Sequence, residues 1–168
     1  MSDLDYFRLL SRYNRWANQR LYEAASRLDD DAYRRDRGAF FGSLHRTLNH
    51  ILVGDRIWIS RIEGRDSGIA RLDEVLYEDF DALWSARESF DETIVNLLAD
   101  MKPAQLAGDL SYGNMAGVRH RMPLRHILGH LFNHATHHRG QAHCLLSQSG
   151  EDAPGLDLVH YLSVDRPD

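Results

Sequence analysis

The sequence predicts an all-α fold, a four-helix bundle with long connections between its helices. Apolar residues recur at spacings of three and four in four separate stretches, each about 20 residues long, which is the pattern of one buried helical face. Between these stretches lie segments without periodicity, marked by charge clusters, glycine and proline. The chain has 168 residues, 43% of them hydrophobic. A chain of that length can withdraw roughly two thirds of its unfolded surface into one core. Residues 1–168 are therefore read as one domain. Cys144 is the only thiol, which rules out an intramolecular disulfide and a cysteine-built zinc site.

The first helix is carried by Tyr6, Leu9, Leu10, Tyr13, Trp16, Ala17, Leu21, Ala24 and Leu28, and Asp29, Asp30 and Asp31 end it. A connection without periodic signal runs to Gly42. Ser43 caps a second helix with the face Leu44, Leu48, Ile51, Leu52, Trp58, Ile59 and Ile62, which stops at Glu63-Gly64. After a loop to Glu78, the residues Phe80, Leu83, Trp84, Arg87, Phe90, Ile94, Leu97, Leu98 and Met101 define a third helix that Pro103 terminates. In the next connection, residues 104–122, Leu110-Ser111-Tyr112 and Gly117-Val118 flank Gly113-Asn114, and a short hairpin is expected. Pro123 opens the fourth helix as a first-turn residue. Its face is Leu124, Ile127, Leu128, Leu131, Ala135, Ala142, Leu145 and Leu146. The tail from Glu151, with Pro154 and Pro167, is expected to be irregular and to pack through Leu156, Leu158 and Tyr161.

Charge narrows the functional classes. With 25 acidic against 20 basic side chains the chain carries −5, which argues against a general nucleic-acid binder. The basic run Val118 to Arg125 lacks interleaved aromatics and reads as a solvated turn. No segment approaches the apolar length of a bilayer span, and charges interrupt the N-terminal stretch where a signal-peptide core would lie. The expected location is the cytoplasm, without a membrane partner.

Histidine is the unusual component: six of ten lie between His120 and His138. With Leu124 at zero on a helical wheel, the apolar face spans roughly 300° to 40°; His134 falls near 280° and His138 near 320°. His126, His130 and His137 fall at roughly 200° to 240°, off that face. Only His134 and His138 border the core, and imidazoles at i and i+4, with Cβ atoms roughly 5 to 6 Å apart, can converge on one cation. HATHH is not HExxH, so a zincin-type protease is disfavoured. A third ligand must come from another helix. His50 and His45 on the second helix are both candidates, and periodicity does not separate them. Asp55 sits in the middle of that helix's apolar stripe, where a carboxylate needs a partner. It pairs with an arginine, holds a ligand imidazole by its second nitrogen, or acts as a general base at the site.

The segments YNRWAN (13–18), FFGSLHRTLNHILVGDRIW (40–58), SYGNMAG (111–117), NHATHHRGQ (133–141) and GLDLVHYL (155–162) together resemble the DinB family, small bacterial DinB/YfiT-like four-helix-bundle metalloenzymes. The resemblance runs nearly end to end. It implies a metal held by His50, His134 and His138, and it is the resemblance that selects His50 over His45. It also implies low-molecular-weight thiols as partners, since relatives include thiol-dependent transferases and isomerases, and it points to a homodimer. Val53 and Ile57, apolar but outside the main stripe of the second helix, are candidates for a dimer surface or for contact with the fourth helix.

The expected function is thus a divalent-metal-dependent transferase or hydrolase acting on a small molecule, with Asp55 as the catalytic or ligand-orienting carboxylate. Zinc is the default, and nickel, iron and manganese also suit imidazole ligands. The competing reading is a non-catalytic metal-binding or stress-related protein whose cation is structural; a fourth protein ligand such as His45, His137 or Asp55 would favour it. Cys144 reads as a half-buried structural residue. Trp16, Trp58 and Trp84 read as core or pocket walls, and Arg139 is a candidate partner for Asp55.

Overall fold

A computed structural model describes residues 1–165 of the chain; Pro167 of the predicted tail lies outside the described residues. Four long helices dominate: α1 (Asp3–Ala25), α3 (Leu44–Ile62), α4 (Phe80–Asp100) and α6 (Leu124–Gln148). They correspond to the four periodic stretches. Short elements lie between and after them: α2 (Asp30–Arg34), α5 (Pro103–Leu106), strands β1 (Asp109–Gly113) and β2 (Arg119–Pro123), α7 (Leu158–His160) and a π turn, Tyr161–Asp165. Ser43 and Asp79 cap α3 and α4 by accepting the Arg46 and Ala82 amides at 3.3 and 2.8 Å, which satisfies donors that a helix start leaves unpaired.

The long helices pack in a ring, α1 against α4 and α6, and α3 against α6 and α4. Their apolar faces build two main clusters. One is centred on Leu21, Leu48, Leu52, Leu83 and Leu146, the other on Phe7, Ile59, Leu98, Ile127 and Leu128. On every long helix a buried polar residue lies between the two: Asn14 and Asn18 on α1, Asp55 on α3, Arg87 and Asp91 on α4, Arg139 on α6. The Arg87 guanidinium donates to Asp55 at 2.7 Å and twice to Asp91, at 3.1 and 2.9 Å. Asn14 and Asn18 also donate to Asp91, and Arg139 donates to Asn14, Asn18 and Thr136. Two cations and two anions thus form a neutral polar layer across the core.

Four expectations change in detail. The aspartate triplet that ends α1 also starts α2, because the Asp29 carboxylate accepts the Ala32 amide at 2.7 Å. The hairpin forms with Leu110 opposite Met122, but its turn runs from Asn114 to Val118: the Asn114 side chain accepts the Ala116 and Val118 amides, and Gly117 takes φ 77°. The tail contains helical turns, and Tyr161 is buried against Tyr13, whose hydroxyl donates to the Leu156 carbonyl at 2.6 Å. Val53 and Ile57 are buried inside the chain and offer no outer surface. Among the described residues no helix is long and apolar enough to cross a membrane.

Candidate metal centre

The α3–α6 contact brings together His50, His134 and His138, each with one ring nitrogen in a group whose members lie within 4.8 Å of one another. Hydrogen bonds orient two of the rings. His50 Nδ1 lies 2.7 Å from the Leu72 carbonyl, and His138 Nδ1 lies 2.8 Å from the Gln141 side-chain oxygen. Because these oxygens only accept, both Nδ1 atoms carry the proton and both Nε2 atoms present a lone pair. The Gln141 amide nitrogen contacts His137 Nε2 at 3.3 Å, consistent with that orientation of the amide. His134 Nε2 lies 3.3 Å from His50 Nε2, and among the described residues its buried Nδ1 has no hydrogen-bond partner.

Packing completes the seat. Phe41 stacks on His50 with ring centroids 3.9 Å apart and meets His138 edge-on at 5.6 Å. Gly54 lies against His134; a Cβ there would come 2.6 Å from His134 Cε1, so only glycine lets the ring approach α3 this closely. Burial lowers the pKa of all three imidazoles, and the neighbouring rings add to it at His134, which is held at about 3. The rings are therefore neutral near pH 7. Neutral, convergent nitrogen donors without an intervening acid are compatible with a divalent cation.

The other predicted residues lie elsewhere. His45 is buried beside the Tyr33 hydroxyl at 3.2 Å and the Glu78 carboxylate at 3.5 Å. His126, His130 and His137 are exposed, with His130 against Trp58. Asp55 makes no hydrogen bond to any of the three imidazoles. It pairs with Arg87, and burial pushes its carboxyl up to about 6 against the pull of that guanidinium. Arg139 hydrogen-bonds asparagine and threonine oxygens, so the arginine paired with Asp55 is Arg87. Cys144 is exposed and not half-buried, because it projects from the outer side of α6. Trp16, Trp58 and Trp84 are half-buried walls.

Sequence reading missed Gly54, Gln141, Phe41 and Leu72. An interior glycine in an apolar helix was a usable signal for Gly54, and i+3 spacing from His138 for Gln141. Phe41 and Leu72 act from connections, where no periodicity exists.

The sequence model of the DinB family matches residues 1–168. The chain belongs to the DinB family. Protein DinB of Bacillus subtilis (strain 168) is 27% identical over 172 residues, covering 99% of this chain and 98% of that relative. A crystal structure of a DinB-like protein from Bacillus cereus ATCC 10987 superposes with a TM-score of 0.65 at 21% identity, over 83% of this chain and 89% of that one, and shows likeness of fold. DinB-family membership and the histidine cluster are both compatible with metal binding.

Proposed function

We propose that this chain is a metal-dependent enzyme built as one four-helix-bundle domain over residues 1–168, in which His50, His134 and His138 hold one divalent cation and leave room for a small substrate. The observation that carries this reading is the convergence of three neutral imidazoles, two of them fixed in tautomer by oxygen acceptors. Zinc is the first choice for this donor set, then nickel, iron or manganese. Such a cation supplies Lewis-acid polarisation and a lowered pKa for a water or thiol beside it. Leu72 and Gln141 orient the ligand rings, Gly54 admits His134, and Phe41 shields one face of His50 from solvent.

Each side chain weighed as a fourth ligand is engaged elsewhere: His45 with Tyr33, His137 with Gln141, Asp55 with Arg87. That supports an enzyme, either a transferase using a low-molecular-weight thiol or a hydrolase, over a structural cation. Asp55 in this reading is a positioning residue, acting through the polar layer that fixes α3. Cytoplasmic location belongs to the same reading. So does a homodimer, which the resemblance alone supports now that Val53 and Ile57 are covered.

The test is metal analysis of protein purified without a histidine tag. One cation per chain is expected, with occupancy sharply reduced by His50→Ala, His134→Ala or His138→Ala and unchanged by His126→Ala. Equal metal content in wild type and His134→Ala would sink the ligand assignment. Metal-loaded and metal-stripped protein are then compared on electrophile and ester panels with and without added thiol; metal-independent turnover would favour the structural reading.

A further inference from the structure

Among the described residues, Arg61 is a cation without a counter-ion. Its guanidinium lies 4.5 Å from the Trp58 ring centroid and 5.0 Å from that of Tyr112, and among the described residues it has no hydrogen bond or carboxylate partner. It is half-buried in a cleft of about 560 Å³ between α3, β1 and the loop after α3. Ser60, in the same cleft, is 1% exposed, and among the described residues its buried hydroxyl has no hydrogen-bond partner. Of the other charged residues lining the cleft, Arg65 pairs with Glu63, while Asp66 accepts the Gly68 amide and keeps its negative charge. A partly desolvated guanidinium without a carboxylate partner, in a cleft that also holds an unpartnered hydroxyl, favours an anion that accepts from it.

The cleft lies along the same face of α3 as His50. Arg61 lies eleven residues beyond His50, which is three turns and within about 20° of the same helical face. That axial separation is roughly 16 Å, and the side chain shortens it by leaning back over Trp58. Ile57, one turn beyond Val53 and Gly54, belongs to the cleft floor. The opposite wall includes Ile69 and Ala70, two residues before Leu72, whose carbonyl holds His50. Along α6, His130 bridges the two ends, 5.0 Å from Trp58 and 5.7 Å from His134 between ring centroids.

We propose that this cleft is the substrate-docking arm of the three-histidine site, with Arg61 and Ser60 receiving the carboxylate or phosphate of a small molecule whose other end lies at His50, His134 and His138. The inference rests on the metal-enzyme reading, and its test separates the two. Glutarate, glycerol 3-phosphate and neutral glutaramide are titrated into metal-free and zinc-loaded protein, following the Arg61 Nε–H signal and the Ser60 and Tyr112 amides by NMR. Both anions should shift these signals and the diamide should not; the tighter anion identifies the acid group. Arg61→Gln should weaken anion binding at least about tenfold, while Arg61→Lys, which keeps the charge without the planar fork, retains part of it. Zinc stoichiometry should be unchanged in both variants. Anions binding Arg61→Gln as tightly as wild type, or shifting neither arginine nor serine signals, would overturn the proposal. If wild type takes up no zinc while anions still shift Arg61, the metal reading fails and the link to the histidines falls with it; if zinc binds and anions do not, the docking arm alone is wrong.

Discussion

Gly54 separates two properties that usually move together. An interior helical glycine costs about 1 kcal/mol relative to alanine, so a methyl group at position 54 favours α3 as a helix. The same methyl would come 2.6 Å from His134 Cε1 and push the ring from its seat. Gly54→Ala should therefore leave the metal-free melting temperature unchanged or higher, while metal affinity falls on the order of 10 to 100-fold, as for other changes that misorient a ligand. Metal titration and thermal melts on one preparation check both halves, and wild-type affinity in the variant would show that His134 does not bind in its observed orientation. At this scale His134 and His138 were legible from the wheel, because they border α6's apolar face. His50 was not: it faces α6 away from the main Leu/Ile stripe, and choosing it over His45 needed the resemblance. His45 is claimed by Tyr33, from a helix too short to show a period.

Among elements, the polar layer ties each long helix to its neighbours at mid-length. Arg87 is its hub, and removing the hub strands two buried carboxylates. Arg87→Met should cost about 3 to 5 kcal/mol, the usual cost of leaving a buried charge unpaired, measurable by urea unfolding. Asp55→Asn is the more informative change. If Asp55 positions α3 through Arg87, stability falls and metal affinity stays within a few-fold of wild type. A metal affinity lowered on the order of 10 to 100-fold would instead assign it to ligand orientation. The four long helices were legible because each exceeds four turns. The five residues of α2 and four of α5 are too few to establish a 3.6-residue repeat. That Asp55 required a partner was also legible. Which arginine supplied it depends on the ring order of the helices, which no single helix's pattern contains.

Across the whole molecule, acid should act through the buried imidazoles. In metal-free protein the pKa values of His50, His134 and His138 lie below the ordinary 6.5, with His134 at about 3. In that window the unfolded chain binds protons that the folded chain does not, so this stability is complete above about 6.5 and is lost as pH falls toward the folded values. Asp55 opposes it: with its carboxyl raised from 3.8 to about 6, the folded chain holds the extra proton in between, and acidification there favours the fold. Denaturation at pH 7.5 and 5.5 should show metal-free protein weakening over this interval, and less so in His134→Gln. Zinc in excess should hold the loaded protein's stability into lower pH by competing with protons. The hydrogen bond from His50 to the Leu72 carbonyl carries a further consequence, because equilibrium coupling is reciprocal. If the loop steadies the ring for metal, metal on the ring must steady the loop. Arg71, exposed and immediately before Leu72, is then a reporter: trypsin should cleave after it more slowly in zinc-loaded than in metal-free protein, and the difference should vanish in His50→Ala.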